Sequence, residues 1–284
     1  MILAIASRKG GVGKTTLAVN IARCLIQGDI IDCDVEKPNT DLFFHVTLKE
    51  KQKVHSLFPV ISEMHCSYCG DCEKFCFQHA IHIKPLEVQI DLERCTFCGG
   101  CQEICSQNAI EYTRIGIGEI QEGFCHPLRL FQGSINIGCG DTQVILAQLT
   151  QCIDPTHLVV MDVPSTDPRT MKYLLQKADY ALLVTDPTPF GVATLQKVVM
   201  LLKKTTIPYG VVINFYNPKN HQIELYCKKN KIPIHFKLSF NETIATLSAQ
   251  GVPFVDKMPD LKKDIAEMIE KVTEEVSVSS KSPS

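Results

Sequence analysis

Apolar residues fall in compact, nearly unbroken runs along much of this chain: Ile2–Ala6, 158–161, 180–184 and 210–213. A strand with one wet face alternates apolar with polar positions, whereas a run that is apolar throughout belongs to a strand buried on both faces. Between these runs lie stretches with helical spacing at 15–27, 170–178 and 192–203, and Ile30, Ile31 and Asp32 start a further strand that ends in acids. Strands alternating with helices predict an α/β fold, a mostly parallel sheet covered by helices on both faces. The last periodic stretch, 261–276, puts Ile265, Met268, Ile269 and Val272 on one side. It is acid-rich and has no aromatic residue, so it is expected to pack on the domain and not on a membrane. Residues 277–284 are expected to form a disordered tail.

The pattern breaks between 61 and 113, where short cysteine-rich motifs replace the helical period. Cys66, Cys69, Cys72 and Cys76 recur 29 residues on as Cys95, Cys98, Cys101 and Cys105. The flanks repeat as well, Gln78-His79-Ala80-Ile81 echoing Gln107-Asn108-Ala109-Ile110. The segment reads as a duplicated half-domain. The expected organisation is a discontinuous α/β domain over 1–60 and 114–276, with a small α+β domain inserted at 61–113.

Composition narrows the chemistry. With 29 basic against 31 acidic residues in 284, the chain has no electrostatic reason to bind nucleic acid. No apolar run approaches the roughly 20 residues that span a bilayer, so stable membrane insertion is not expected. The apolar start runs directly into Lys9-Gly10-Gly11 and lacks the charged beginning and cleavage site of a signal peptide, which predicts a buried first strand and a cytoplasmic protein. Fourteen cysteines in a reducing compartment point to metal or redox chemistry, not disulfides, and eight of them lie between Cys66 and Cys105.

Lys9-Gly10-Gly11-Val12-Gly13-Lys14-Thr15-Thr16 follows a predicted strand and opens a predicted helix. Glycines in that position let backbone N–H groups turn inward around phosphate oxygens, and the helix N-terminus adds a favourable dipole. Lys14 is expected to reach the β- and γ-phosphates of ATP, and the Thr15 hydroxyl to ligate Mg²⁺. Arg8 stands where the general motif has its first glycine. With the early lysine, Lys9, the motif resembles the deviant Walker A of the MinD/ParA/Mrp superfamily of P-loop ATPases, which includes the nitrogenase iron protein. The resemblance implies that Lys9 reaches across a nucleotide-sandwich dimer, homomeric or formed with a related ATPase, so that hydrolysis depends on dimerisation. It further implies that Asp32-Cys33-Asp34 is switch I, with Asp34 positioning the attacking water and Asp32 acting on Mg²⁺ from behind its direct ligands. Asp162-Val163-Pro164 then corresponds to Walker B and switch II, with Asp162 binding Mg²⁺ through water. Where the family continues with a Pro-Gly-rich hinge, this chain has Pro164-Ser165-Thr166-Asp167. Asn214 matches an asparagine that contacts adenine, and 185–191 resembles a family segment that shapes the dimer-facing surface.

The cysteine spacing, three at intervals of three and a fourth after four, is similar to that of bacterial two-cluster ferredoxins. In that pattern the first three thiolates of each run wrap one [4Fe–4S] cluster and the fourth ligates the other. The resemblance pairs Cys66, Cys69, Cys72 and Cys105 on one cluster, and Cys95, Cys98, Cys101 and Cys76 on the second. Zinc is the competing occupant, because Cys-x₂-Cys pairs also make tetrahedral sites. Phe77 and Ser106 stand where the ferredoxin pattern has proline. Of the remaining cysteines, Cys24 and Cys33 are expected to be small buried residues. Cys139, between Gly138 and Gly140, reads either as an inert loop residue or as a ligand of a transferable cluster.

Together the motifs resemble P-loop ATPases of the MinD superfamily with an inserted ferredoxin domain. The expected function is an ATPase that couples nucleotide state to electron transfer through two [4Fe–4S] clusters to a redox or iron–sulfur acceptor protein. Two alternatives accompany it: a cluster carrier of the Mrp type, and a MinD/ParA-type positioning switch in which the clusters are structural.

Overall fold

Each predicted apolar run is a strand in the computed structural model, which describes residues 1–154, 156–165 and 167–279. In chain order the elements are β1 Ile2–Ala6, α1 Lys14–Arg23, β2 Gly28–Asp32, α2 Asp41–Phe44, β3 Lys49–Ile61, α3 Asp71–Phe75, β4 Ile81–Lys84 and β5 Glu87–Ile90. There follow α4 Gly100–Ile104, β6 Ile110–Cys125, β7 Leu128–Ile135, α5 Gln143–Leu149, β8 Leu158–Asp162, α6 Pro168–Leu175 and β9 Tyr180–Thr185. The chain closes with α7 Pro189–Leu202, β10 Tyr209–Tyr216, α8 Gln222–Asn230, β11 Ile234–Ser239, α9 Glu242–Ala249 and α10 Pro259–Ser279.

The chain divides into two compact units: 1–49, 122–132 and 152–284 form one, and 50–121 with 133–151 the other. The first is an α/β unit whose strands run in the order β11-β10-β9-β1-β8-β2-β7, every neighbouring pair parallel. Leu3, Ile5, Ile30, Val160, Leu182 and Val212 join one core with Leu17 and Ile21 of α1 and Ile265 and Met268 of α10. The alternate positions Ala4, Met161, Leu183 and Val211 are buried equally, as a sheet covered on both faces requires. Asp167 and Thr188 cap α6 and α7 by accepting backbone N–H bonds, each with proline in the first turn, which sets those two helix starts.

Some boundaries move. The first helix stops at Arg23 and not at 27, because the N–H groups of Cys24 and Leu25 turn back to the carbonyls of Ile21 and Ala22. Gly28 then enters the sheet so close to Leu158 that a Cβ would lie 2.6 Å from its carbonyl oxygen. The last helix runs to Ser279, past the expected start of the tail at 277, with Val276 packed against the core. The rest of that tail, 280–284, lies outside the described residues, as does Thr166. No described helix is long and apolar enough to cross a membrane.

The second unit is wider than the cysteine-rich segment, since it takes in β3, most of β6 and α5. Within it β6 lies between β3 and the end of β7, and β4 pairs antiparallel with β5. The duplication is legible in the backbone. Tyr68, Gly70 and His79 have left-handed φ, and so do Phe97, Gly99 and Asn108, their equivalents in the second repeat. Ser62 N–H bonds the Ala109 carbonyl at 2.8 Å, and its counterpart Asp91 N–H bonds the Ala80 carbonyl at 2.7 Å, so each repeat closes on the other.

Asp29, 1% exposed, is opposite Arg129 across the β2/β7 pair, and the guanidinium donates to both its oxygens at 2.7 Å. Removing the cation would leave a buried carboxylate unpaired. Arg129→Met is expected to destabilise the first unit by about 2 kcal/mol, discounted for the partly exposed guanidinium. Denaturant unfolding of the variant against wild type measures it.

Candidate functional site

The glycine loop and the ends of the parallel strands make one site in the first unit. Between β1 and α1, Gly11 and Gly13 have φ of +70° and +88°, a conformation that costs glycine nothing and strains other residues. Gly13 begins α1 with no side-chain cap and no acid in the first turn. The helix therefore keeps its N-terminal donors and positive dipole end for an anion. A Cβ on Gly13 would lie 2.5 Å from Asn214 Nδ2.

Asp32 and Asp162 end neighbouring strands in register. Both are buried. Asp162 Oδ2 accepts from Thr15 Oγ1 at 2.5 Å, while Oδ1 is buried without a hydrogen-bond partner among the described residues. Burial, and then the adjacent Asp32 charge, push the Asp162 carboxyl up to about 7. Asp32 is also raised by burial, against the opposing effect of the N–H groups of Asp34, Asn39 and Thr40, which donate to it at 2.9, 2.9 and 3.1 Å. Asp34 accepts from Lys37 N–H at 3.2 Å. Lys14 donates to Ser165 Oγ at 2.6 Å; burial lowers its affinity for the proton, and the charges of Asp162, Asp34 and Asp32 partly restore it. An unpartnered carboxylate oxygen beside a hydroxyl is the donor chemistry of a hard divalent cation with oxygen ligands, so these residues fit Mg²⁺.

Lys9 is turned away from the glycine loop. Its ammonium bonds Asp186 and the Thr188 hydroxyl, and sits 5.7 Å from the Phe190 ring centre. Asn214 donates to the Val12 carbonyl at 2.9 Å and lines a cavity of about 180 Å³ with Gly13, Thr16, Phe215, Phe240 and Asn241. Gly10 is exposed and Val12 buried. The structure thus gathers Lys14, Thr15, Asp32, Asp34 and Asp162 into one charge cluster, and places Asn214 at an adjoining apolar cavity. Sequence reasoning missed Ser165, Asp186 and Thr188 as partners of the two lysines. A hydroxyl in place of a hinge glycine was the only available sign of the first.

In the second unit the cysteines lie in two groups of four. Cys66, Cys69, Cys72 and Cys105 line one cavity, a tight one of about 20 Å³. Cys76, Cys95, Cys98 and Cys101 line another of about 270 Å³, with Pro59, Phe75 and Ile81 among its apolar walls. Each group takes three thiols from one repeat and the fourth from the other. Backbone N–H groups of Tyr68, Ala80 and Ala109 point at the sulfurs of Cys66, Cys76 and Cys105 at 3.3 to 3.4 Å. The left-handed turn at Tyr68 puts its N–H within reach. Burial raises the thiols of Cys72, Cys95 and Cys101, and neighbouring cysteines of the same group raise them further. Among the described residues no three His, Cys, Asp or Glu side chains close on a single-ion site. Cys33 is fully buried, its thiol pushed well up by burial, and Cys24 is half-buried with its thiol raised to about 11.

A parallel α/β sheet with a glycine loop, a lysine and two strand-end acids at its carboxyl edge defines a P-loop nucleotide-binding domain. Residues 3–267 match the CobQ/CobB/MinD/ParA nucleotide-binding domain family (CbiA), and the chain belongs to it. Two uncharacterized proteins of Methanocaldococcus jannaschii are similar along their length. MJ0579 is 27% identical, with 94% of this chain and 96% of that protein aligned; MJ0578 is 29% identical, with 96% and 97% aligned. Among solved structures, the cell division ATPase MinD of Pyrococcus furiosus superposes with a TM-score of 0.60 at 17% identity, covering 95% of this chain and 98% of its own. MinD of Pyrococcus horikoshii, complexed with Mg-ADP, gives 0.60 at 16% identity and covers 99% of both chains. At such identities the likeness establishes the fold.

Lys14→Ala is expected to lower ATP turnover by on the order of a hundredfold or more, because the glycine loop loses the largely buried ammonium at the start of α1. Phosphate release assays on wild type and variant check this.

Proposed function

We propose that this chain is a MinD/ParA-type ATPase whose second unit carries two [4Fe–4S] clusters, and that its nucleotide state governs electron delivery from them to an acceptor protein. One observation carries the reading: eight cysteines of a duplicated segment gather as two groups of four, each completed by the opposite repeat. That exchange of the fourth ligand is the arrangement of two-cluster ferredoxins. Four thiols in each group, with N–H groups aimed at the sulfurs of Cys66, Cys76 and Cys105 and with partly apolar walls, suit an anionic cluster that must be held while partly shielded from water. Bound clusters supply one-electron transfer. A single zinc ion draws its four sulfurs much closer together than a cubane does, and the open cavity beside Cys95 and Cys98 favours the larger group.

In the first unit, Thr15 and Asp162 would hold Mg²⁺ and Lys14 would neutralise phosphate charge. Asp34, exposed relative to the two buried acids, would orient the attacking water. Lys9 would leave Asp186 and Thr188 to serve the nucleotide of a second copy, which makes turnover depend on dimerisation. A second reading keeps the ATPase but gives the clusters a structural role, as in a positioning switch; the likeness in fold to MinD favours it. Cluster donation to an apo-acceptor would instead favour a carrier.

Two experiments separate these claims. Wild type reconstituted anaerobically is expected to bind about eight irons per chain, falling towards about four in Cys69→Ser or Cys98→Ser. Retention of the full level in both variants, or preferential loading of zinc by wild type, would overturn the ligand assignment. Lys9→Ala should bind nucleotide as wild type does, yet lose the rise in specific activity with protein concentration. Normal turnover in that variant contradicts the dimer reading.

A further inference from the structure

Ser165 follows the strand-end acid by three residues and touches the phosphate loop at two points. Its Oγ accepts from Lys14 Nζ at 2.6 Å and donates to the Lys9 carbonyl at 3.4 Å. Lys14 is largely buried, and among the described residues no carboxylate lies within ion-pair distance of its ammonium. Its charge feels Asp162, Asp34 and Asp32 without contacting them. A buried ammonium needs a directed acceptor, and here one hydroxyl provides it. Glycine at this position could not.

We infer that Ser165 competes with phosphate for Lys14: its hydroxyl holds the ammonium and ties residues 163–165 to the glycine loop, and a nucleotide must displace it to engage the lysine. The inference rests on the nucleotide reading of the site given above. A di- or triphosphate is a charged acceptor and outcompetes a neutral hydroxyl for an ammonium. Lys14 then leaves Ser165, and the stretch from Asp162 to Ser165 keeps its bonds to Thr15 and to the Lys9 carbonyl but loses the one to Lys14. Ser165 is accordingly a positioning residue, whose hydrogen bond must be broken before the lysine can engage. Binding of the β-phosphate and loss of the Lys14–Ser165 bond thus become one event.

The test compares dissociation constants for Mg-ADP, a non-hydrolysable Mg-ATP analogue and AMP, the last by competition, in wild type, Ser165→Ala and Ser165→Thr. Removing the competing hydroxyl should tighten ADP and the ATP analogue by about three- to tenfold, the range for one hydrogen bond to a charged group partly replaced by water. AMP has no β-phosphate for Lys14 and should bind equally to all three proteins. Ser165→Thr, which keeps a hydroxyl, should resemble wild type. In turnover, KM for ATP should fall in Ser165→Ala without a rise in kcat. Should Ser165→Ala fail to fold, Ser165→Gly is expected to show the same tightening. Unchanged or weaker ADP binding, or equal tightening for AMP, would overturn the role of Ser165 while leaving the nucleotide site intact. A folded wild type that binds none of the nucleotides removes both readings.

Discussion

The first unit is organised around two carboxylates that the sheet forces together. Asp32 and Asp162 end adjacent parallel strands at the same level, both out of water. Two buried like charges in contact are unfavourable unless something positive or hydrogen-bonded faces them. Asp32 is satisfied locally by three backbone N–H groups of its own loop. Among the described residues Asp162 has Thr15 on one oxygen and no hydrogen-bond partner on the other, and burial, then the Asp32 charge, push its carboxyl up to about 7. The glycine loop, the lysine and the helix dipole all bear on this pair. A divalent cation with its phosphate ligands would resolve the imbalance, and the nucleotide site is in this sense built around an unmet electrostatic demand.

The second unit poses a different problem. It is small, and its cysteine segment buries few large side chains, with Phe75, Phe77 and Ile104 left exposed. The paired hydrogen bonds from Ser62 to Ala109 and from Asp91 to Ala80 lock the two repeats around each other. That exchange is what brings Cys105 to the first group and Cys76 to the second. The chain leaves the first unit after Lys49 and regains it for good at Cys152. Both excursions therefore lie between Asp34 and Asp162 in the sequence.

Much of this was legible from pattern. The runs at Ile2–Ala6, 158–161 and 180–184 are strands because every position is apolar, and the glycine loop announced itself by residue type and context. Strands β3, β6 and β7 were not foreseen. Their burial alternates irregularly and, at β3, the first five positions are exposed, so neither periodicity nor apolar content marks them. The partners of Lys9 and Lys14 were also hidden. Asp186 and Ser165 lie more than 150 residues from the lysines they bind, and only tertiary packing of parallel strands brings such positions together.

Under the proposed function, nucleotide in the first unit alters clusters in the second. The direct measurement is the midpoint potential of the reconstituted clusters, by anaerobic redox titration followed by electron paramagnetic resonance, with Mg-ATP, with Mg-ADP and without nucleotide. The account predicts different potentials for the ATP and nucleotide-free forms of wild type, and a single potential throughout for Lys14→Ala. Identical potentials in all three states of wild type, with nucleotide binding independently demonstrated, would contradict it.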